Sequence, residues 1–167
     1  MFREYDLRGL ETEDELNDTS LYHIARGFGT MLREKNISSA IVGHDSRETS
    51  ESFAQNAIKG LIESGIDVID IDTVTTPMSY FAQYHFNVEG LCMITASHNP
   101  VGWNGVKLGT GLSKTLGPEE IKALYNIIEK EEYVEGQGSV KKELVTDAYI
   151  HDLTSRVHLG RKLKVLV

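Results

Sequence analysis

The amino-acid sequence predicts an α/β fold, in which a mixed, mostly parallel β-sheet lies between layers of helices. Short apolar runs of strand type alternate along the chain with longer segments whose apolar residues recur at helical spacing. Alternation of this kind is typical of a largely parallel sheet that is covered on both faces. The 167 residues are enough for one domain with its own hydrophobic core. We therefore expect the chain to fold on its own.

The helices are identified by their apolar periodicity and by the residues that begin or end them. Asn17 and Asp18 are candidate N-caps for the first helix. Ser50 is the candidate N-cap of the second helix, and Gly65 ends it. Thr76, which is followed by a proline at the first helical position, is the candidate N-cap of the third. The predicted helices cover residues 17–35, 50–65, 76–86, 118–132 and 146–159.

The predicted strands are short and apolar. They cover residues 40–43, 66–71 and 91–94, followed by a brief strand at 106–108 and a last one at 163–167. The segment 96–105 has no periodicity and is predicted to form a loop. Because the last strand has no predicted partner, we interpret the molecule as one that is cut at a domain boundary.

Composition and charge exclude several classes of partner. The formal net charge is −8 and no basic stripe interrupts it, which disfavours binding to nucleic acid or to an anionic membrane. The first twenty residues are too charged for a signal peptide, and no stretch approaches the length of a membrane span. Cys92 is the only cysteine, and its apolar surroundings in the sequence indicate an inert core residue. We expect a cytoplasmic domain.

The loop after the third strand carries the residues that are suited to chemistry. Ligands of open α/β sheets bind beyond the carboxyl ends of the strands, and Ser97 lies at such an end. Pro100 restricts the residue before it to extended conformations and stiffens the loop. His98 offers a base near neutral pH, and Lys107 offers a cation for a phosphate oxygen. Phosphorylation of Ser97 would add a charge of about −1.5 to −2, which requires cationic partners or a metal.

Three motifs in this order resemble those of the α-D-phosphohexomutases, a family that includes phosphoglucomutase and phosphomannomutase. Residues 95–100 read TASHNP, with NGVK at 104–107, and are similar to the phosphoserine loop of that family. Residues 2–9 read FREYDLRG, similar to the FR-x-YD-x-RG opening of the phosphomannomutase/phosphoglucomutase branch. Residues 42–47 read VGHDSR and resemble the family's G-x-D-S/T-R turn.

The resemblance implies a four-domain enzyme, of which this chain is the first domain. Residues 1–160 then form domain I, and residues 161–167 begin a truncated domain II. Family members carry an acidic, DGDGDR-like metal loop in domain II, and their loops for sugar recognition and phosphate docking lie in domains III and IV. Since this sequence contains none of these loops, we expect the chain alone to be inactive.

The same resemblance assigns roles to individual residues. Ser97 would carry the phosphoryl group, exchange it with hexose phosphates through a hexose 1,6-bisphosphate, and contact Mg²⁺ through a phosphate oxygen. Lys107 would bind phosphate and act as a general acid or base, and Arg8 would lie against the phosphoserine. Tyr5 would face the sugar phosphate. His98 would either shape the loop through the backbone or handle a substrate proton, and the sequence does not decide between these roles.

Other residues of the motifs are predicted to be structural. Asp45 and Arg47 are interpreted as a charge pair that holds the turn after a strand. Asn99 and Asn104 are predicted to fix the geometry of the loop rather than to touch substrate.

Several rival functions are weighed against this one. A serine hydrolase is rejected because its nucleophile elbow requires G-x-S-x-G, and because adjacent serine and histidine side chains seldom meet for proton transfer. A nucleotide-binding module is rejected because no glycine-rich phosphate motif follows a strand. The possibility of a catalytically silent domain that binds sugar phosphates stays open.

The opening motif FREYDLRG favours mannose and glucose phosphates as substrates, with phosphoglucosamine mutase as the alternative activity.

Overall fold

Residues 5–166, which the computed structural model describes, contain a six-stranded β-sheet with helices on both faces. The strands are β1 (Leu7–Leu10), β2 (Ser39–His44), β3 (Asp67–Thr73), β4 (Gly90–Ile94), β5 (Trp103–Thr110) and β6 (Val140–Lys142). The helices are α1 (Asp18–Glu34), α2 (Ser50–Glu63), α3 (Thr76–Phe86), α4 (Pro118–Lys130) and α5 (Thr146–Arg156). None of these helices is long and apolar enough to cross a membrane.

The sheet is mixed, with the strand order β1-β5-β4-β2-β3-β6. Strands β4, β2, β3 and β6 are parallel neighbours, whereas β5 is antiparallel to both β4 and β1. The predicted fold class is therefore confirmed. The carboxyl ends of β2 and β4, which are adjacent in the sheet, lie at the same edge.

Two hydrophobic cores cover the two faces of the sheet. Successive residues of β2 alternate between them: Ala40 and Val42 belong to one core and Ile41 to the other. The first core packs against α1, α2 and α4, and the second packs against α3, with Tyr149 of α5 at its margin. The central strands β2 and β4 are thus buried on both faces of the sheet.

The helix boundaries agree with the sequence prediction to within a few residues. Asn17 is the N-cap of α1 and forms a capping box with Ser20. Helices α2 and α3 begin at Ser50 and Thr76, so their N-caps are one residue earlier than predicted, at Thr49 and Thr75. The backbone of Thr49 is already helical, whereas that of Thr75 is extended.

The antiparallel part of the sheet was predicted only in part, since the predicted strand at 106–108 lies within β5. Strand β1 was missed, and Trp103 to Gly105 were predicted to be loop, yet β5 begins at Trp103 and pairs with β1 from Leu7↔Val106 to Leu10↔Trp103. The pairing joins segments about a hundred positions apart in the chain. Gly105 is required there, because a Cβ atom at this position would lie 2.5 Å from the carbonyl oxygen of Leu7.

The predictions for the last part of the chain were wrong in two respects. Strand β6, with its two exposed lysines, pairs in parallel with β3 at the sheet edge and was not predicted. Helix α5 ends at Arg156, and residues 163–166 form no strand. The apolar side chain of Leu166 there is fully exposed, with no strand beside it among residues 5–166. Val167 lies outside the described residues, and the boundary at residue 160 stays a prediction.

Candidate active site

Ser97 lies at the carboxyl end of β4, on the loop that joins β4 to β5. Its side chain is exposed, and its backbone is in the left-handed region with a φ of 57°. A non-glycine residue held in this conformation costs roughly 1–3 kcal/mol. The Ser97 amide donates a hydrogen bond to Oγ1 of Thr95, at 2.9 Å. Further contacts must therefore hold the loop in a conformation that it does not prefer.

Arg47, which follows β2, supplies those contacts. Its Nε lies 3.3 Å from Oδ2 of Asp45, so the predicted charge pair is confirmed. The other contacts of the guanidinium were not predicted. It reaches across to the loop and donates to main-chain oxygens. The acceptors are the carbonyls of Ser97 (3.2 Å), Asn99 (2.7 Å), Pro100 (3.1 Å) and Trp103 (3.0 Å).

Asn104 fixes the other end of the loop, as predicted. It is fully buried, and its Nδ2 donates to Oγ1 of Thr49 at 2.9 Å and to Oγ of Ser50 at 3.0 Å. Ser50 in turn donates to Oδ1 of Asp45 at 2.6 Å. This network joins the start of α2 to the start of β5, so the turn after β2 and the loop after β4 are held as one unit.

A cluster of two cations and a carboxylate lies beside the loop. Oδ2 of Asp6 accepts hydrogen bonds from Nε (2.9 Å) and Nη2 (2.8 Å) of Arg8 and from Nζ of Lys107 (3.1 Å). Nη1 of Arg8 also donates to Oδ1 of Asn99, at 2.8 Å, which ties the cluster to the loop. One carboxylate thus holds both of the predicted phosphate-binding cations next to the serine loop.

Asp6 was missed by the sequence analysis. The two-residue spacing of Asp6 and Arg8 would place both side chains on one side only in an extended chain, and no strand was predicted there. Their pairing with Lys107 depends on the β1–β5 ladder, which was not predicted. The electrostatic consequence is visible at Asp6: burial acts to raise the pKa of its carboxyl, but the hydrogen bonds and positive charges of Arg8 and Lys107 outweigh burial. The pKa of Asp6 is lowered overall.

The lowered pKa of Asp6 makes the stability of the domain pH-dependent. Its carboxylate contributes stability that is present above its unfolded pKa, about 3.9, and is lost as the pH falls through the lower folded pKa. We expect Asp6→Asn to reduce the free energy of unfolding at pH 7 by about 1–3 kcal/mol, and the difference from wild type to shrink below about pH 4. Urea unfolding between pH 7 and pH 3 measures both quantities.

Asp152→Asn is the matched control for that experiment. Asp152 forms an exposed ion pair with Arg156 one turn along α5, and exposed pairs of this kind contribute little to stability. A gap between wild type and Asp6→Asn that stays constant down to pH 3 would contradict the role given to the Asp6 carboxylate.

His98 lies closer to the serine hydroxyl than the sequence suggested. Its Nδ1 is 3.3 Å from Oγ of Ser97, so the argument that adjacent side chains seldom meet is wrong in this loop. The left-handed backbone of Ser97 accounts for this contact, because it turns the chain sharply at this residue. The other objection to a serine hydrolase holds, since the loop lacks the glycines of a nucleophile elbow. Within residues 5–166, no carboxylate orients the ring of His98.

The structure brings most of the predicted residues together. One cleft is lined by Asp6, Arg8, His98, Asn99 and Trp103, and Ser97 lines two neighbouring clefts instead. Arg8 and Lys107 bond to Asp6, and neither bonds to Ser97. Tyr5 is 58% exposed, and its contact with a sugar phosphate stays a prediction. The first residues of the FREYDLRG motif, 2–4, lie outside the described residues.

The predicted Mg²⁺ has few donors in this part of the chain. Residues 5–166 contain no group of three or more histidine, cysteine, aspartate or glutamate side chains that is arranged to hold a metal ion. Ser97, once phosphorylated, is the ligand that the resemblance predicts. These residues therefore do not form a complete Mg²⁺ site by themselves.

Fold and site together define an α/β/α domain that presents an exposed serine on a clamped loop beside two cations. Residues 1–135 match the family model for the phosphoglucomutase/phosphomannomutase α/β/α domain I. The chain belongs to the phosphoglucomutase/phosphomannomutase family, as its motifs indicated.

Individual relatives agree with this assignment. The chain is 35% identical to a phosphoglucomutase of Neisseria gonorrhoeae. The match covers the whole of this chain and 36% of that protein. It is 37% identical to a phosphomannomutase of Vibrio cholerae. The match covers 93% of this chain and 35% of that protein. The crystal structure of a phosphoglucomutase/phosphomannomutase family protein from Burkholderia thailandensis superposes with a TM-score of 0.90 at 28% identity, over 96% of this chain and 36% of that one. The chain thus spans little more than a third of the length of these relatives.

Proposed function

We propose that this chain is the domain of a hexose-phosphate mutase that carries the travelling phosphoryl group on Ser97. The observation that carries the proposal is the placement of Ser97: exposed at the carboxyl end of β4, strained in its backbone, and fixed by main-chain contacts. Exposed, strained loop residues that the surrounding structure holds in place cluster at functional sites. Membership of the family supports the same reading.

The proposed reaction has two transfers. Phosphorylated Ser97 first passes its phosphoryl group to a free hydroxyl of a hexose monophosphate. The bond between phosphorus and Oγ of Ser97 breaks, a bond to the sugar oxygen forms, and the sugar's proton ends on Ser97. The resulting hexose 1,6-bisphosphate then returns its other phosphoryl group to Ser97, and the isomeric monophosphate leaves. Dividing the isomerisation into two transfers through a nucleophile makes each step easier.

His98 and Lys107 are the candidates for moving that proton. Nδ1 of His98, at 3.3 Å from Oγ of Ser97, is close enough to give a proton to the departing serine oxygen or to take one from it. Lys107 is the candidate for the sugar side, since its Nζ bonds to Asp6, a residue that lines the cleft with His98. This geometry favours the proton role of His98 over the alternative in which it only shapes the loop.

Charge stabilisation of the phosphoryl group falls to Arg8 and Lys107. A phosphoserine adds a charge of about −1.5 to −2 to the loop. The two cations Arg8 and Lys107 lie next to the loop, where both pair with Asp6. Phosphoryl transfer depends mainly on positioning and on neutralising this charge. A Mg²⁺ ion bound to a phosphate oxygen would add to that neutralisation. None of the steps above depends on it.

The substrate class and the cellular location belong to the same proposal. The names of the relatives favour glucose and mannose phosphates, and glucosamine phosphate is the alternative. A cytoplasmic location accords with Cys92, a buried thiol whose pKa burial raises to about 12 and which is therefore suited to packing rather than to redox chemistry.

The gene product that contains this chain provides the test. It is supplied with Mg²⁺, a trace of hexose 1,6-bisphosphate and the 1-phosphate of glucose, mannose or glucosamine, and formation of the 6-phosphate is followed. We expect conversion of the glucose and mannose esters. Tight binding of these esters without conversion would instead identify a silent sugar-phosphate-binding domain, and conversion of the glucosamine ester alone would identify the alternative mutase.

A further inference from the structure

We infer that Arg47 is a positioning residue for Ser97, which acts by holding the main chain of the loop rather than by touching substrate. This inference rests on the proposed function of Ser97 as the phosphoryl carrier. It goes beyond the structural charge pair with Asp45, because it concerns the part of the guanidinium that faces away from Asp45.

The guanidinium uses every nitrogen. Nη2 donates to the carbonyls of Ser97 and Asn99, Nη1 donates to those of Pro100 and Trp103, and Nε faces the carboxylate of Asp45. The four carbonyls span the loop from the nucleophile to the first residue of β5. One side chain therefore fixes both ends of the segment that carries Ser97.

The bonds within the loop are few. The amide of Asn99 donates to the carbonyl of Ala96 at 3.1 Å, and that of Trp103 donates to Pro100 at 3.3 Å. Ser97 meanwhile occupies an unfavourable backbone region, and its own carbonyl is one of the Arg47 acceptors. Without Arg47 the loop would lose four main-chain contacts, and Ser97 would be free to relax to a more favourable φ.

Arg47 is itself fixed on a rigid part of the fold. Its amide donates to Oδ1 of Asp45 at 3.1 Å, and Ser50 at the start of α2 donates to the same oxygen. Asp45 follows β2 directly, and its amide donates to the carbonyl of Ile94 in β4 at 2.9 Å. Arg47 thus connects the loop to the rigid β2–β4 pair.

Only arginine has the donor geometry for this role. Its planar fork offers five N–H groups in fixed directions, whereas lysine offers one ammonium on a flexible stem. Arg47→Lys keeps the positive charge opposite Asp45 and loses the fork. It therefore separates loop positioning from the simple charge pair.

The single tryptophan of the chain makes the loop observable. Trp103, half-buried at the end of the loop, is both an acceptor for Arg47 and a wall of the cleft with Arg8 and His98. Acrylamide quenching of its fluorescence and hydrogen exchange of the Asn99 and Trp103 amides report loop order. Arg33→Lys is the matched control, because Arg33 is an arginine of α1 that donates to one carbonyl, that of Gly65, away from the loop.

The experiment compares Arg47→Lys, Arg33→Lys and wild type by loop exchange, tryptophan quenching, urea unfolding and steady-state turnover of the gene product. For Arg47→Lys we expect at least about tenfold faster exchange of the two amides and stronger quenching. We expect kcat to fall on the order of 10²-fold, as for misplaced reacting groups, while KM changes by less than about threefold. Arg33→Lys should match wild type in loop exchange, quenching and kcat.

If Arg47→Lys folds poorly, Arg47→Ala assayed with and without millimolar guanidinium ion takes its place, and recovery of kcat and of quenching protection supports the inference. Exchange, quenching and kcat that stay at wild-type values in the Arg47 variant would overturn it. A fall in kcat that only follows global unfolding, with unchanged loop exchange in the folded protein, would overturn it as well. Failure of the proposed function is distinguished by Ser97→Ala: if that variant keeps its turnover, the carrier role is wrong whatever Arg47 does.

Discussion

Replacing Ser97 with alanine in the complete enzyme is expected to lower kcat by at least about 10³-fold, since losing a covalent serine nucleophile costs about 10⁶-fold in a serine protease. The substitution removes the proposed carrier of the phosphoryl group and leaves the proposed binding groups Arg8, Lys107 and His98 in place. Binding of the hexose phosphate should therefore change far less than turnover. Steady-state kinetics together with equilibrium binding of the sugar phosphate measures both effects.

Ser113→Ala is the matched control for this variant. Ser113 is also an exposed serine in a loop with a positive φ, 53°, but it contacts Gln83 rather than the site. The control should keep wild-type turnover, which separates the loss of a hydroxyl at the site from the loss of a serine in a strained turn. Near-normal turnover of Ser97→Ala would contradict the proposed mechanism.

Replacing Lys107 with alanine is expected to lower the rate by about 10²–10³-fold, the usual cost of removing one preorganised charge donor from a transition state. The fold should survive, because Arg8 keeps two hydrogen bonds to Asp6 and β1 stays paired with β5. Ser97 itself is unchanged and should remain able to take up phosphate. Turnover and phosphorylation of Ser97 are measured on the same preparation.

Lys142→Ala is the control for Lys107. Lys142 is likewise a strand lysine paired with an aspartate, since its Nζ lies 2.7 Å from Oδ2 of Asp72, but it belongs to β6 at the sheet edge. It should leave the rate within about twofold of wild type, as expected for an exposed ion pair outside the site. Equal losses in the two variants, or loss of Ser97 phosphorylation in Lys107→Ala, would argue against charge stabilisation by Lys107.

The parallel part of the fold could be predicted because its signals are local. Apolar runs such as that of β4 and helix starts such as Asn17 depend on neighbouring residues, and the loop after β4 follows directly from where that strand ends. Strand β1 gave no such signal, because Arg8 and Gly9 interrupt its apolar pattern. It exists because β5, far along the chain, pairs with it.

The candidate site was predictable to the same extent. Ser97, His98 and Lys107 lie within one short motif, so their proximity follows from the chain itself. The contact of Asp6 with Lys107 and the contacts of Arg47 with the loop after β4 depend on the order of the strands in the sheet. The turn after β2 meets the loop after β4 only because these strands are neighbours, with Val42 paired to Cys92. Sequence spacing carries no record of that adjacency.

The identity of the phosphorylated residue tests the central claim most directly. The gene product is incubated with a labelled hexose 1,6-bisphosphate, and a part of it is then chased with unlabelled glucose 1-phosphate. Both samples are digested and mapped by mass spectrometry. We predict one phosphate, located on Ser97, whose label passes to the sugar during the chase while Ser97 takes up the unlabelled phosphoryl group of the sugar bisphosphate. Phosphate on another residue, or turnover that proceeds while Ser97 is never phosphorylated, would contradict the account.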